Sequence, residues 1–244
     1  MIEITTLFLL ISFLFYLFNI FCLKKNYLID QQSQSSHKTF TNQVKVPITG
    51  GIFIIILIFF FFKDLEIIDR IIFFLVFFTG LLSDTNKLSS PKIRLLFQSL
   101  IVIFFIIINN LYINEIRIDF FDKILLDSNI LRIIFTTFCI LILINGSNFM
   151  DGVNTLNSGY FLIIFVNIIL LSTNSEIVVD LYNLKLISLV LFIFIIFNSL
   201  NKSFLGDSGS YLIAFYAAIF FINFSNQNEL ISPYYVAVLL WYPA

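Results

Sequence analysis

The sequence predicts an all-α integral membrane protein, a polytopic helical bundle, and three observations carry that reading. Of 244 residues, 59% are hydrophobic and only 12% are charged, whereas a soluble domain of this length carries about 25% charged residues. The apolar residues fall in runs long enough to cross, or nearly cross, the roughly 30 Å of hydrocarbon in a bilayer. Short polar islands rich in Gly, Asn, Ser and Asp interrupt those runs. Hydrocarbon offers backbone amides no water, so irregular, glycine-rich backbone belongs at a membrane boundary or against a wet cavity.

Taken in order, the apolar segments fall at about 4–23, 48–62, 67–82, 95–109, 130–144, 159–173, 184–198, 211–224 and 232–243, nine candidate spans in one transmembrane domain over 1–244. The first segment is not a cleavable signal, because Glu3 precedes it and Lys24-Lys25 follow it. A polar stretch from Lys24 to Val46 separates the first two spans. Pro91 suits the first turn of the fourth helix. The longest outer loop runs from Asn109 to Asn129. Residues Leu111 to Phe120 alternate with period two, which predicts a short outer hairpin. Cys22 and Cys139 both lie in apolar runs and read as small buried side chains, with no disulfide framework. The net charge of -1 says nothing about nucleic acid, but no basic stripe is present, and no nucleic-acid partner is expected.

Charge places the loops. With the N-terminus outside, the inner loops are 24–47, 83–94, 145–158 and 199–210, which hold eight of the fourteen basic residues. Four carboxylates share that side: Asp30, Asp84, Asp151 and Asp207. The last three sit in the polar islands Ser83-Asp84-Thr85-Asn86-Lys87, Asn145 to Gly159, and Leu205-Gly206-Asp207-Ser208-Gly209-Ser210. Two spans separate the first island from the second, and two separate the second from the third. The islands therefore share one membrane face whichever way the chain points.

Each island alone reads equally as a capped loop at the membrane edge. Together they predict a site for an anion and a hard cation. Helical spacing would put Asn148, Asp151 and Asn154 on one face. Gly206 and Gly209 permit close backbone approach, and the helix starting there has free N–H groups to offer an anion. Mg²⁺ takes one or two carboxylates and completes its shell with water and substrate phosphates. Lys45, Lys202 and His37 lie in the same inner loops, and Gly50-Gly51 open the second span. Such a surface fits a Mg²⁺-bound pyrophosphate and a substrate with a lipid tail. No zinc-spaced motif, P-loop, dinucleotide fingerprint or Ser–His–Asp candidate is present.

Four motifs in this order resemble the polyprenyl-phosphate N-acetylhexosamine-1-phosphate transferases, a superfamily that includes the phospho-MurNAc-pentapeptide translocase. They are Pro47-x-x-Gly50-Gly51, Gly80-Leu-Leu-Ser-Asp84, Asn148-Phe-Met-Asp151-Gly152, and Asn198 followed by Phe204-Leu-Gly-Asp207-Ser-Gly-Ser210. His37-Lys38 resembles the His-bearing first inner loop of that family. Phe149-Met150-Asp151-Gly152 with Asn154 is closer to the transferases of O-antigen, teichoic acid or capsule synthesis. The resemblance implies a ten-span protein of the bacterial inner membrane, a homodimer, with its site facing the cytoplasm. It implies transfer of a sugar 1-phosphate from a UDP-N-acetylhexosamine to a polyprenyl phosphate, with Mg²⁺ (or Mn²⁺) as cofactor and UMP released. By resemblance Asp207 and Asp151 would hold the metal, Asn148 and Asn198 the nucleotide, and Lys45 the nucleotide or its phosphates. Asp84 would lie where the lipid phosphate attacks.

Two features depart from the family pattern. Ser83 stands where the family commonly has a second, adjacent aspartate. The chain also ends at Ala244, before the last inner loop and the tenth span the resemblance implies. The sequence is therefore expected to be a piece of a longer protein and poorly active alone. Two other readings are a transporter that uses membrane Asp and Asn as an ion relay, and a degenerate family member acting as an assembly partner.

Overall fold

The computed structural model describes residues 2–29, 45–63, 65–174 and 177–240, with no side-chain description for 2–9 and 173–174. Among the described residues there are ten helices and no strands: α1 (Ile2–Lys25), α2 (Gly50–Phe61), α3 (Ile67–Asp84), α4 (Pro91–Asn109), α5 (Asp119–Asp127), α6 (Asn129–Met150), α7 (Leu156–Asn174), α8 (Leu181–Ser199), α9 (Gly206–Gln227) and α10 (Pro233–Leu240). Each of the nine apolar segments forms a helix among the described residues, as a chain without water to bond its backbone requires. Among the described residues α4, α6, α8 and α9 are long and apolar enough to cross a membrane. The chain is a multi-pass membrane protein, and the outward face of α4 shows why: Leu96, Leu100, Phe104 and Ile107 are all exposed.

The expected outer hairpin does not form. Residues 111–118 are irregular, and α5 follows. Two local features decide this. Asn110 ends α4 in the left-handed conformation. Asp119 and Asp122 lie in the first turn of α5, where negative charge suits the free N–H groups, and Asp122 Oδ1 also accepts the Ile116 N–H at 2.7 Å. The period-two pattern therefore stops at a helix start, with no second strand to pair with.

The bundle is built around α9. From Ser208 to Phe224 its side chains are buried on nearly every side, as expected for a helix apolar all round. It packs most extensively against α3, α6 and α2. Phe215 meets the edges of Phe73 and Phe105 at centroid distances of 5.1 and 5.2 Å. Ala214, Ala217 and Ala218 leave room for backbones to approach. Arg70, in the first turn of α3, donates to the Ile58, Phe59 and Phe62 carbonyls at the end of α2. This satisfies the carbonyls that a helix C-terminus leaves open.

Two glycines set the distance between α9 and its neighbours. A Cβ on Gly80 would lie 2.8 Å from the Asp207 carbonyl carbon, and one on Gly51 would lie 2.6 Å from the Gly209 nitrogen. Both obstacles are backbone and cannot swing aside. Gly80→Ala is expected to cost about 1–3 kcal/mol through overpacking. Gly159→Ala, whose Cβ would meet nothing within 4 Å, is expected to be neutral or to stabilise slightly through helix propensity. Thermal unfolding in detergent, followed by dye labelling of the buried Cys22, distinguishes these outcomes.

Candidate active site

The site forms where α9 begins. Gly206 has φ +73°, a conformation that suits glycine, and a Cβ there would lie 2.8 and 2.9 Å from the Asp84 carboxylate oxygens. The helix leaves its first N–H groups without intrahelical partners. Asp84, the last residue of α3, takes two of them: its Oδ1 accepts the Asp207 N–H at 2.8 Å and its Oδ2 accepts the Ser208 N–H at 3.1 Å. Asp151, just beyond α6, stands beside them, where the Gly206 N–H favours its charged form. Two of the free amides expected to face an anion are thus met by one of the protein's own carboxylates, Asp84.

Asp207 sits within this ring. Its Oδ1 accepts from Asn148 Nδ2 at 2.6 Å, and its Oδ2 accepts from Arg94 Nη1 at 2.9 Å and from the Ser83 hydroxyl. Arg94 Nη1 also donates to Ser83 Oγ. The Arg94–Asp207 ion pair is partly exposed, at 23% and 26% of the two side chains. Three carboxylates thus share one neighbourhood with one bonded guanidinium. Burial pushes the Asp151 carboxyl well above its usual range, the negative charges of Asp84 and Asp207 push it further, and the Gly206 N–H opposes them.

This surplus of negative charge fits a divalent cation. Among the described residues no three metal-ligating side chains converge on one point. An ion there would rest on Asp151 and Asp207 and draw its other ligands from water and substrate, which is how Mg²⁺ is usually held.

The remaining expected site residues are distributed less tightly. The α6 helix ends at Met150, so Asn148, Asp151 and Asn154 do not share a helical face. The backbone turns over 151–155, Thr155 takes φ +64°, and Asn154 donates to Asn201 Oδ1 at 2.6 Å, outside the carboxylate ring. Asn198 is buried and engaged at both ends: its Oδ1 accepts the Thr155 N–H at 2.6 Å and its Nδ2 donates to the Ser203 carbonyl at 2.8 Å. It clasps two loops. Lys202 is exposed, and Lys45 is exposed with Nζ 3.3 Å from Asn26 Oδ1. His37 lies outside the described residues. Residues 47–50 are nonetheless tied to the third island, since Phe204 donates to the Pro47 carbonyl at 2.9 Å and Gly50 donates to the Phe204 carbonyl at 3.0 Å.

Sequence reading missed Arg94 as a site residue and the polar layer beneath it. Gln98 lies one turn beyond Arg94, Tyr211 one turn beyond Asp207, and Asn145 one turn before Asn148. Asn145 Nδ2 donates to Gln98 Oε1 at 3.2 Å, while the buried Gln98 Nε2 has no protein partner among the described residues. A fully buried amide within an apolar run was the available signal. Away from the cluster, an apolar groove of about 360 Å³ lies between α6, α9 and α10, lined by Cys139, Leu143, Phe221, Val236 and Leu240 among others.

Residues 67–225 match the family described as Glycosyl transferase family 4. That stretch contains Asp84, Arg94, Asn148, Asp151, Asn198, Lys202 and Asp207. Comparison with curated proteins returns no match.

The double cap made by Asp84 sets an expectation. Asp84→Ala leaves two amides of α9 without their acceptor and is expected to lower stability by about 1–2 kcal/mol. Asp84→Asn keeps one acceptor oxygen and should fall between wild type and Asp84→Ala. Unfolding midpoints of the three proteins in one detergent check the order.

Proposed function

We propose, because the chain belongs to glycosyl transferase family 4, that it moves an N-acetylhexosamine 1-phosphate from a UDP-sugar to a polyprenyl phosphate such as undecaprenyl phosphate and releases UMP. Sugar-phosphate transfer to a polyprenyl phosphate is the general reaction of this family, and the chain is a phosphosugar transferase of the membrane. The donor sugar, the acceptor and the service of a cell-envelope polysaccharide such as O-antigen, capsule or teichoic acid are our reading. So are the homodimer, the bacterial inner membrane and a cytoplasmic site. The observation that carries the reading is the meeting of Asp84, Asp151 and Asp207, from three separate islands, at the start of α9.

The chemistry asks for positioning and charge neutralisation more than for covalent work. Asp207 and Asp151 would hold Mg²⁺ (or Mn²⁺), which supplies neutralisation of the donor pyrophosphate and of the departing UMP. Asn148 fixes one oxygen of Asp207 and so sets its orientation. Asp84 fixes the backbone that carries Asp207, at the edge where the acceptor phosphate attacks. Asn198 and Asn154 hold the 151–155 and 199–204 loops together around the nucleotide. Lys45, Lys202 and His37 remain proposed contacts of the nucleotide and its phosphates. The apolar groove beside α6 and α10 suits a polyprenyl chain.

A transporter is the second reading considered. The cluster sits at the ends of α3 and α6 and at the start of α9, whereas transporter sites lie near the bilayer midplane. That placement favours the transferase.

The test is UMP release. Membranes containing the protein are mixed with undecaprenyl phosphate, Mg²⁺ and a panel of UDP-N-acetylhexosamines. Lipid- and metal-dependent UMP from one donor is expected, and it names the sugar. Asp207→Asn should reduce that rate by at least about a hundredfold, the scale of losing a central electrostatic group. A variant with full activity would remove the metal role given to Asp207.

A further inference from the structure

Asp207 is the carboxylate assigned to the cation, yet both of its oxygens already have partners. Asn148 donates to Oδ1, while Arg94 and Ser83 donate to Oδ2. The two oxygens differ in character. The Asn148 amide is neutral, so Oδ1 keeps its charge and a free lone pair. At Oδ2 the guanidinium supplies a full positive charge at 2.9 Å, in the place where a cation would add one.

We propose that Arg94 is a place-holder for the cation. Its guanidinium, braced by the Ser83 hydroxyl, neutralises Asp207 at Oδ2, and a divalent cation that takes Asp207 displaces it. The inference rests on the reading of Asp207 as a cation ligand and assigns Arg94 and Ser83 a part that reading lacks.

Three observations make the exchange physical. Arg94 engages Asp207 and Ser83 through one nitrogen, Nη1, rather than through the two-pronged grip that makes arginine–carboxylate pairs tight. The pair is also partly exposed, where ion pairs contribute little. A divalent cation carries twice the charge and can outbid such a contact. Finally, Arg94 stands in the first turn of α4 beside Pro91, at the solvent edge of the helix, so its long side chain can leave without moving the helix. Ser83 matters because a hydroxyl can accept from Arg94 and donate to Asp207 at once. It joins the two without adding a charge of its own.

The inference separates from general charge repulsion. If Arg94 merely repels the cation from a distance, Ser83 is irrelevant to cation affinity. If Arg94 must be released from Asp207, removing the Ser83 hydroxyl loosens the latch and helps the cation, and does so only while Arg94 is present.

The experiment titrates Mn²⁺ into purified protein in detergent and reads free Mn²⁺ by electron paramagnetic resonance, without substrate or turnover. Wild type, Asp207→Asn, Arg94→Gln, Ser83→Ala and the Arg94→Gln/Ser83→Ala double variant are compared. Arg94→Gln should tighten binding about fivefold, the upper scale for an ion pair of this exposure. Ser83→Ala should tighten it about two- to fivefold, the scale of one hydrogen bond. The double variant should match Arg94→Gln. An unchanged Kd in Ser83→Ala, with Arg94→Gln tighter, overturns the exchange in favour of distant repulsion. Unchanged Kd values in both single variants also overturn it, while binding lost in Asp207→Asn would leave the cation site intact. No Mn²⁺ binding to wild type, or binding that Asp207→Asn leaves unaltered, removes the cation assignment and this inference with it. Ser83→Ala changes one partly buried hydroxyl and no charge, so it keeps the test available if Arg94→Gln does not fold.

Discussion

The arrangement depends on how the first turn of α9 is satisfied. This helix is buried on nearly all sides from Ser208 onward, so its N-terminus cannot rely on water for its open amides. Asp84 supplies two acceptors from the end of α3. Satisfying the helix end draws α3 to the point where Asp207 emerges, and Asp151 at the end of α6 stands beside it. The carboxylate cluster is therefore produced by the same contacts that let α9 start at the membrane edge.

Close packing serves the same end. Gly80 lets α3 approach the Asp207–Ser208 backbone, and without that approach Asp84 could not reach two successive amides. Gly51 does the same for α2 against Gly209. The bond from Phe204 to the Pro47 carbonyl, with the Thr49–Ser203 hydroxyl bond of 2.8 Å, then fixes the entry to α2 against the loop before α9. Three helices and two loops are thus held to one small volume, as a site that works by positioning requires.

Much of this was legible in the sequence, for identifiable reasons. Helix identity followed from hydropathy, since hydrocarbon leaves the backbone few alternatives. The shared face of Asp84, Asp151 and Asp207 followed from counting spans, an argument that survives errors of several residues at each boundary. Local geometry was less legible. The end of α6 at Met150 could not be read from composition, and it sends Asn154 away from Asp207. Asn198 stood out as an amide but not as one bonded to backbone at both ends. Arg94 was read as a loop charge because its partner, Asp207, is 113 residues away. The irregular stretch before α5 misled for another reason. Alternation over 111–120 is a strand signal only when a second strand is there to pair with it.

Stability alone gives little reason for the cluster. Three carboxylates with one guanidinium repel one another, and desolvating them costs more than the single ion pair returns. A structural knot in the same bundle shows the cheaper solution: Ser147, Asn157 and Ser210 are buried, uncharged and bonded among themselves. The chain uses neutral groups where it only needs adhesion, and charge where α9 begins. Negative charge held there, at helix ends and within reach of water, is stored demand for a positive ligand. Arg94 meets part of that demand through a single nitrogen, a contact well placed to be exchanged. The imbalance, more than any one residue, marks this end of the bundle as the place where a cation and a phosphate would be welcomed together.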